Sequence, residues 1–267
     1  MRQLQLQTDK MLAHVEDGVG WITFNQPNKR NAVSLAMWQA VPEIVDDFIS
    51  TGDVRVVVLK GAGDKAFVSG ADISEFEEVR NTPEQVVAYE AATGGSHQAL
   101  KSLEIPLIAM IRGFCIGGGM AIALSCDIRI SADDGQFGVP AAKLGLGYGY
   151  GGIKELVNLV GPSFAKEIFF TGRRFSAANA EVMGLVNRVV PVSDLEASVT
   201  TLAKTIADNA PLTVKAAKAA INEGTKDPDQ RELDRIAEMV EVCFNSEDYK
   251  EGRRAFMEKR KPHFQGR

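Results

Sequence analysis

The hydrophobic and polar positions of the N-terminal part alternate between short apolar runs and longer mixed stretches. Continuous apolar runs at 54–60 (VRVVVLK) and 105–111 (IPLIAMI) predict strands buried on both faces of a sheet. Residues 10–16 and 19–25 predict two more strands, and the Asp17-Gly18 pair between them is typical of a hairpin turn. Shorter strands are predicted at 66–69 and 127–132. The interleaving of these strands with helices predicts the α/β fold class.

Several helix starts are marked by capping residues. Ser34 caps a predicted helix that ends near residue 50, although Pro42 inside it removes one backbone hydrogen bond. Residues 82–85 (TPEQ) form a capping-box pattern that predicts a helix ending near residue 103. Another helix is predicted to begin near Asp72. Gly113 is predicted to begin a loop that leads to a glycine run and its helix.

The pattern changes near residue 193, where strand signals stop and four helix starts follow. These starts are Ser193 with Glu196, Pro211, Asp227-Pro228 with Gln230, and Ser246 with Asp248. We therefore divide the chain into an α/β core, residues 1–192, and a helical C-terminal region, residues 193–267. The pattern leaves open whether the second part packs on the first or on a neighbouring subunit.

Composition restricts the partners of this chain. A net charge of −5 and a pI of about 5.4 argue against nucleic acid, whose phosphates require a basic face. No apolar run approaches the roughly 18 residues that span a bilayer, and the N-terminus lacks the apolar core of a signal peptide. Cys115, Cys126 and Cys243 lie in apolar stretches without a C-x-x-C pair, so we expect buried thiols and no metal site. These features predict a cytoplasmic protein with no membrane partner.

The segment AFVSGADI, residues 66–73, combines a short strand, a turn at Gly70 and a helix start. This arrangement predicts that the backbone N–H groups of Ala71 and Asp72 lie among the unpaired donors of a helix N-terminus. Such donors suit an anion or a developing oxyanion. A plain tight turn is the alternative interpretation.

Two more glycine-rich places follow. In FCIGGGMAIALSCDI, residues 114–128, the glycines at 117–119 indicate either a ligand close to the backbone or close packing of a helix on a strand. Residues 138–152 are predicted to be irregular, and GYGYGG at 147–152 matches the G-x-G-x-x-G pattern of dinucleotide-binding proteins. No convincing strand precedes that match and no acidic residue follows about 20 positions later. Nicotinamide-nucleotide binding is therefore not expected, and the aromatic residues there are interpreted as pocket wall.

Five segments, in their order along the chain, resemble one family, the enoyl-CoA hydratase/isomerase or crotonase superfamily. They are ITFNQPNKRNAV, AFVSGADI, GFCIGGGMAIALSCDIRI, FGVPAAKLGLGYGYGG and EGRRAFMEKRKPHF. The resemblance implies a crotonase-like spiral of ββα units with a helical C-terminal part. It also implies an acyl-CoA thioester as the substrate, and a homo-oligomer that is a trimer or a dimer of trimers.

The resemblance assigns roles to positions of this chain. The backbone N–H groups of Ala71 and Gly118 would form an oxyanion hole for a thioester enolate. The residues expected to contact coenzyme A are Lys29, Arg30, Ala32, Phe256 and Lys259. The last two would reach the coenzyme of the same or a neighbouring subunit. Without the resemblance, the basic residues would be interpreted as solvated charges and Phe256 as ordinary core.

Two positions depart from the family's hydratases, which add water with two glutamates. This chain has Ala121 and Ala141 at the corresponding positions. A methyl group neither holds water nor moves a proton, so these departures argue against ordinary enoyl-CoA hydration. Three functions stay open: another enolate reaction such as decarboxylation, isomerisation or carbon–carbon cleavage, proton transfer by a different group, or acyl-CoA binding without catalysis.

Tyr148 is the first candidate for a replacement proton donor, because it lies in the segment that resembles the family's active-site loop. A tyrosine there is also explained by packing alone. Weaker candidates are Tyr150, Tyr89, Glu90 and His97, the last of which is otherwise an ordinary helical histidine. A bound anion such as bicarbonate beside Ala121 is a further possibility that the resemblance offers, and no other cofactor is expected.

Overall fold

All 267 residues are described by the computed structural model, which contains two β-sheets and eleven α-helices. The strands are β1 (Arg2–Gln3), β2 (Met11–Glu16), β3 (Val19–Phe24), β4 (Val56–Gly61), β5 (Ala66–Val68), β6 (Leu107–Ile111), β7 (Phe114–Ile116), β8 (Ile128–Ala132), β9 (Gln136–Gly138), β10 (Phe175–Ser176) and β11 (Arg188–Val190). The helices are α1 (Leu35–Thr51), α2 (Phe76–Val79), α3 (Pro83–Ser102), α4 (Gly118–Leu124), α5 (Ala141–Leu144), α6 (Tyr150–Thr171), α7 (Ala177–Val182), α8 (Leu195–Ala207), α9 (Pro211–Gly224), α10 (Leu233–Asn245) and α11 (Glu247–Glu258).

The larger sheet has the strand order β1-β2-β3-β4-β6-β8-β11 and is parallel from β3 onward. Its inner strands are continuous apolar runs because core residues cover both faces of the sheet. The predicted hairpin joins β2 to β3 through Asp17 and Gly18, whose φ angles of 50° and 76° suit a tight turn. The α/β class is therefore confirmed.

The smaller sheet has the order β10-β9-β7-β5, in which β5, β7 and β9 are parallel neighbours. Neighbouring parallel strands end at the same edge of a sheet, and α/β proteins commonly bind ligands at such an edge. Ala71 lies three residues beyond β5, Gly118 two beyond β7 and Ala141 three beyond β9. We call these three positions the donor edge, because the sheet collects them from distant parts of the sequence.

Helices α1 and α3 begin where their capping residues predict. The Ser34 hydroxyl accepts a hydrogen bond from Met37 N at 3.3 Å, and residues 82–85 form the reciprocal capping box. Helix α1 continues through Pro42, so the lost backbone hydrogen bond does not end it. The two helices pack on each other and bury Trp38 of α1.

The structure corrects two predictions between residues 113 and 152. The loop predicted after Gly113 is in fact strand β7, which is too short for an apolar pattern to reveal. The region 138–152, predicted to be irregular, contains α5 and the start of α6. Helix α6 is itself interrupted at Gly161, where the backbone leaves the helical conformation just before Pro162.

The C-terminal part is helical, as predicted, and two of its helix starts are confirmed. Helix α9 begins at Pro211, where the missing N–H of proline costs nothing because first-turn donors have no partner within the helix. Ser246 caps α11, since its hydroxyl accepts a hydrogen bond from Tyr249 N at 3.0 Å. No strand follows β11.

The other two predicted starts are displaced. The Ser193 hydroxyl donates to Asp194 Oδ1 instead of capping a helix, and α8 begins at Leu195. Asp227-Pro228 opens only a 3₁₀ turn, and α10 begins at Leu233. In both cases the predicted start lies in a 3₁₀ turn that precedes the helix.

The C-terminal helices differ in what they cover. Helix α8 lies on one face of the larger sheet, where Val199 and Ala203 are fully buried against strands such as β4. Helix α10 has no fully buried residue and exposes several large apolar side chains, namely Leu233, Val240, Val242 and Phe244. An unpartnered apolar face of this kind is typical of a surface that another protein covers.

Two of the three cysteines, Cys115 and Cys126, are buried as predicted, and burial raises the pKa of the Cys126 thiol to about 12. Cys243 on α10 is only half-buried, which corrects the prediction of three buried thiols. No helix in the structure combines the length and the apolarity that crossing a bilayer requires.

Arg129 of β8 holds the end of α4 against the larger sheet. The residue is only 5% exposed, and its guanidinium donates to the carbonyl oxygens of Cys126 at 2.5 Å and Leu185 at 2.8 Å. Helix α4 begins at the donor edge with Gly118. The Arg129 contacts therefore hold this helix at its opposite end.

Replacing Arg129 by methionine should destabilise the protein. Arg129→Met leaves two buried carbonyl groups without their donor, and each such loss costs roughly 1–3 kcal/mol, so we expect the free energy of unfolding to fall by about 3 kcal/mol. Urea denaturation at one fixed protein concentration measures the change. Arg188→Met, on the exposed edge strand β11, is the matched control and should shift the value by less than about 0.5 kcal/mol. Equal losses in the two variants would contradict this role of Arg129.

Candidate active site

The donor edge presents two backbone amides that no other group of the protein uses. Neither Ala71 N nor Gly118 N donates a hydrogen bond within the protein. A Cβ atom placed on Gly118 would lie 3.6 Å from Ala71 N, so the two residues are in direct contact. Asp72 N, which the sequence placed among the free donors, instead donates to Val33 O at 2.9 Å, because residue 71 forms a β-bridge with Val33. The structure therefore leaves one free donor from each glycine-containing turn.

The three glycines of the run serve different purposes. A Cβ on Gly119 would lie 2.1 Å from Val68 O, so this glycine is required for close packing of α4 on β5. Gly117 has a φ of 55°, which a residue with a side chain adopts only with strain. Gly118 has neither constraint, and its amide is the free one. Close packing therefore explains Gly119, and a ligand close to the backbone is the interpretation that suits the free amide of Gly118.

A cavity of about 230 Å³ lies beside the start of α4. Its apolar lining consists of Met120, Leu124, Val139, Leu156 and Phe169. Ala121 and Gly117 border the same cavity, and its polar side chains come from Tyr148, His97, Lys101 and Glu155. This volume is smaller than the roughly 300–1,000 Å³ of pockets for drug-sized ligands, so it suits an acyl group rather than a whole coenzyme.

The two alanines stand where the resemblance implies glutamates, and the structure places them differently. Ala121 is half-buried and lines the cavity one helical turn after Gly118. Ala141 follows β9 at the donor edge, is 5% exposed, and does not border the cavity. Neither methyl group can donate or accept a proton during a reaction.

Tyr148 borders the cavity from the loop between α5 and α6. Its ring packs edge-on against Phe169, with ring centres 5.1 Å apart. Its hydroxyl has no partner in the protein, and burial raises the pKa of the phenol above its usual value. At neutral pH the Tyr148 phenol therefore keeps its proton. It can act as a proton donor but not as a base.

His97, which was only a weak candidate from the sequence, is brought to the cavity by α3. Its Nδ1 lies 3.3 Å from Ser125 Oγ, and its ring packs 5.5 Å from the Trp38 ring. Burial, with a smaller effect of the positive charge on Lys101, lowers the pKa of His97 to about 4. The imidazole is therefore neutral at physiological pH. Its only local sign in the sequence is that the chain has three histidines.

The remaining weak candidates do not carry free functional groups into the cavity. Tyr89 is buried and its hydroxyl oxygen accepts from Trp38 Nε1 at 3.2 Å. Glu90 is exposed and lies 3.8 Å from Arg80, and Tyr150 is 77% exposed. Lys101 and Glu155 face the cavity but neutralise each other in an ion pair.

The basic residues expected near coenzyme A lie beside the donor edge. Lys29 Nζ donates to Asp72 Oδ2 at 2.8 Å and to Ser74 Oγ at 2.7 Å. Burial would raise the pKa of Asp72, but the hydrogen bonds from Lys29 and two neutral side chains outweigh it and hold the pKa below its usual value. Arg30 has no acidic partner, and its guanidinium lies 5.1 Å from the centre of the Phe114 ring. Of these two side chains, only the Arg30 cation is therefore free to meet a phosphate.

Three other residues, Ala32, Phe256 and Lys259, were expected to contact coenzyme A. Ala32 is buried, its N–H donates to Lys29 O, and its carbonyl oxygen accepts from Gln26 Nε2. Phe256 on α11 is 82% exposed, which corrects the alternative that it is ordinary core. Lys259 follows the end of α11, and α11 packs on α10 rather than on the donor edge.

The G-x-G-x-x-G match has no dinucleotide-binding context. Helix α5 precedes it, not a strand, and Gly149 is the N-cap residue of α6. A Cβ on Gly147, Gly149 or Gly152 would contact nothing within 4 Å, so close approach does not explain these glycines. The structure also brings no three His, Cys, Asp or Glu side chains together in a manner that could hold a metal ion.

The chain is similar to known proteins along nearly its whole length. Residues 14–267 match the family described as enoyl-CoA hydratase/isomerase. A short-chain-enoyl-CoA hydratase of Clostridium acetobutylicum is 38% identical over 96% of this chain and 97% of that protein. A crotonyl-CoA hydratase of Syntrophomonas wolfei is 34% identical over 96% of this chain and 98% of that protein. A crystal structure from Magnetospirillum magneticum, described as an enoyl-CoA hydratase/carnithine racemase, has a TM-score of 0.90 at 35% identity and covers 99% of this chain and 97% of that chain.

Proposed function

Because the chain belongs to the enoyl-CoA hydratase/isomerase family, we propose that it converts an acyl-CoA thioester through an enolate whose oxygen is held at the donor edge. The observation that carries this proposal is the pair of adjacent, unused amides of Ala71 and Gly118. Fixed N–H donors stabilise the charge that develops on a thioester oxygen without reorganising during the reaction. The cavity beside α4 then receives the acyl chain.

The reaction is proposed to be one that does not require two carboxylates. Relatives named as hydratases support acyl-CoA chemistry, but Ala121 and Ala141 cannot supply the acid and base that hydration needs. Isomerisation, decarboxylation and carbon–carbon cleavage all pass through the same enolate. Decarboxylation needs no base for this step, because the loss of carbon dioxide leaves the electron pair on the α carbon.

Coenzyme contacts and assembly complete the proposal. Arg30 is proposed to meet a phosphate of the coenzyme, while Lys29, already paired with Asp72, and the backbone of Ala32 border the same path. Phe256 and Lys259 are proposed to contribute from α11 and its end. The exposed apolar side chains of α10 support assembly into a trimer or a dimer of trimers. A small anion such as bicarbonate beside Ala121 is an optional proton carrier in this proposal.

Exchange of carbon-bound protons tests the enolate directly. The protein is mixed in deuterium oxide with butyryl-CoA and vinylacetyl-CoA, and separately with malonyl-CoA and methylmalonyl-CoA. We expect deuterium to enter the acyl group, or a product of new mass to form, with at least one thioester. Mass spectrometry and thioester absorbance follow both events.

The second candidate function is acyl-CoA binding without catalysis, which the loss of both glutamates favours. Tight binding of acyl-CoA with neither exchange nor turnover across this panel would support that function and contradict the enolate proposal. Binding of nicotinamide nucleotide with no affinity for acyl-CoA would contradict both.

A further inference from the structure

We propose that His97 transfers protons to and from the acyl chain in the gap that Ala121 leaves. This inference rests on the proposed enolate chemistry and names the group that makes and consumes the enolate. It assigns a role to a side chain from α3, whereas both glutamate positions of the family follow strands of the smaller sheet.

Helix α4 aligns the parts of this site. Gly118, Ala121 and the capping residue Ser125 are spaced three and four residues apart, so they lie along one face of the helix. The free amide is at the start of this face, the gap at Ala121 is one turn later, and the Ser125 hydroxyl is one turn beyond the gap. His97 contacts that hydroxyl and borders the same cavity as Gly117 and Ala121.

Trp38 of α1 contacts both Gly118 and His97, independently of α4. Its Cζ2 atom lies 3.6 Å from the position of a Cβ on Gly118, and its ring centre lies 5.5 Å from that of His97. One buried indole therefore contacts both the residue that donates the free amide and the imidazole. The spacing places the imidazole beside the acyl chain of a thioester whose oxygen lies at the donor edge.

The hydrogen bonds of Ser125 fix the tautomer of His97. Ser125 Oγ lies 3.1 Å from Ala121 O, and a carbonyl oxygen only accepts, so the serine must donate its single proton there. The serine oxygen is then left to accept from His97, which places the imidazole proton on Nδ1. Nε2 consequently carries a free lone pair.

Nε2 of His97 is not fully buried. It has no hydrogen-bond partner, and every fully buried side-chain nitrogen or oxygen of the protein has one. Since His97 lines the cavity, this nitrogen is the ring nitrogen left to meet a group that enters it. An accessible lone pair with a fixed tautomer is what a general base requires.

Burial, with a smaller effect of the positive charge on Lys101, keeps the His97 imidazole a neutral base. Lys101 lies one turn later on α3, and its positive charge lowers the pKa of His97. Glu155 of α6 forms an ion pair with Lys101. Tyr148, from the loop before α6, is neutral, and α1 and α4 contribute only Trp38 and Ser125. The pKa of about 4 resembles that of an ordinary glutamate, so His97 matches in basicity the carboxylate that the site lacks.

The proton transfer balances without a co-reactant. Nε2 takes a proton from the α carbon of the thioester, or from the γ carbon of an unsaturated one, and the carbon–hydrogen bond breaks. Its electron pair moves toward the carbonyl carbon, and the carbonyl oxygen takes the negative charge at the amides of Ala71 and Gly118. The imidazolium then returns the proton to carbon, either at the original position or at the other end of the dienolate.

Deuterium exchange in variants tests this assignment. We expect His97→Gln to reduce deuterium uptake by butyryl-CoA and vinylacetyl-CoA by roughly 10²–10⁴-fold, the usual contribution of a general base, with acyl-CoA affinity unchanged. His14→Gln is the matched control, because His14 stacks on Trp21 away from the cavity, and it should exchange as the wild type does. Wild-type exchange should rise with pH through about 4, as the imidazolium loses its proton, and stay level through neutral pH.

Two further measurements separate proton transfer from packing. His97→Ala should regain exchange when imidazole is added, because the small base can enter the vacated space. Ser125→Ala should slow exchange about tenfold, but should add nothing in the His97→Ala background if Ser125 acts through the imidazole.

The outcomes distinguish the two proposals. Exchange that persists in both His97 variants, or is lost only in Tyr148→Phe, would overturn the role of His97 and leave the enolate proposal standing. Decarboxylation by the wild type without any exchange would do the same. Absence of exchange and turnover in the wild type would instead overturn the enolate proposal itself.

Discussion

Gly118→Pro should reduce enolate formation by roughly 10²–10³-fold, because it deletes one of the two donors at the donor edge. Gly118 is the first residue of α4, a position where proline is well tolerated since no helical hydrogen bond is lost. The expected loss is in the rate of deuterium exchange or turnover. Acyl-CoA affinity should change much less, because the enolate oxygen depends on this amide more than the neutral carbonyl does.

Gly118→Ala is the matched control for the proline variant. A Cβ at this position meets its nearest neighbours at 3.6 Å, which is ordinary van der Waals contact, and the alanine keeps the N–H group. We therefore expect a folded protein that retains most of its activity. Equal losses in the alanine and proline variants, with both correctly folded, would show that space rather than the amide matters and would remove the basis of the proposed function.

The elements that could be predicted from the sequence are those whose signal is local. The β-branched run that becomes β4 and the capping box at 82–85 specify a strand and a helix within a few residues. Strand β7 escaped prediction because three residues that alternate in burial leave no pattern. Ser193 and Asp227 failed as helix starts because the Ser193 hydroxyl donates to Asp194 and the Asp227 carboxylate accepts from Lys154, so neither side chain caps a helix.

The candidate site depends on contacts that no local pattern contains. Ala71 and Gly118 are 47 positions apart by their numbers, and only the parallel pairing of β5 and β7 brings them together. The resemblance to a family supplied that pairing, whereas composition and spacing did not. His97 was only a weak candidate from the sequence, because its tautomer and its surroundings are set by Ser125 and Trp38, which lie on other elements of the fold.

Placing glutamates at positions 121 and 141 should raise hydration activity, which the two alanines of the natural chain are proposed to limit. We expect the double variant Ala121→Glu with Ala141→Glu to hydrate crotonyl-CoA roughly 10²–10⁴-fold faster than the wild type, since it regains a positioned acid and base. Ala121 lines a cavity that can receive the longer side chain, whereas Ala141 is 5% exposed and gives the carboxylate less room. The single Ala121→Glu variant therefore accompanies the double variant, with thermal unfolding to verify the fold of each. Loss of crotonyl-CoA absorbance and the mass of the hydroxyacyl product measure hydration.

The glutamine pair Ala121→Gln with Ala141→Gln separates proton transfer from shape, because the amides fill the same space but carry no exchangeable acid at neutral pH. If the glutamate variant hydrates and the glutamine variant does not, the two methyl groups are the reason that the natural chain follows another course. Rapid hydration of crotonyl-CoA by the wild type would show that the two alanines do not prevent hydration. It would mean that a group other than the two carboxylates activates water in this cavity, and the exchange measured in the His97 variants would then identify whether the imidazole is that group.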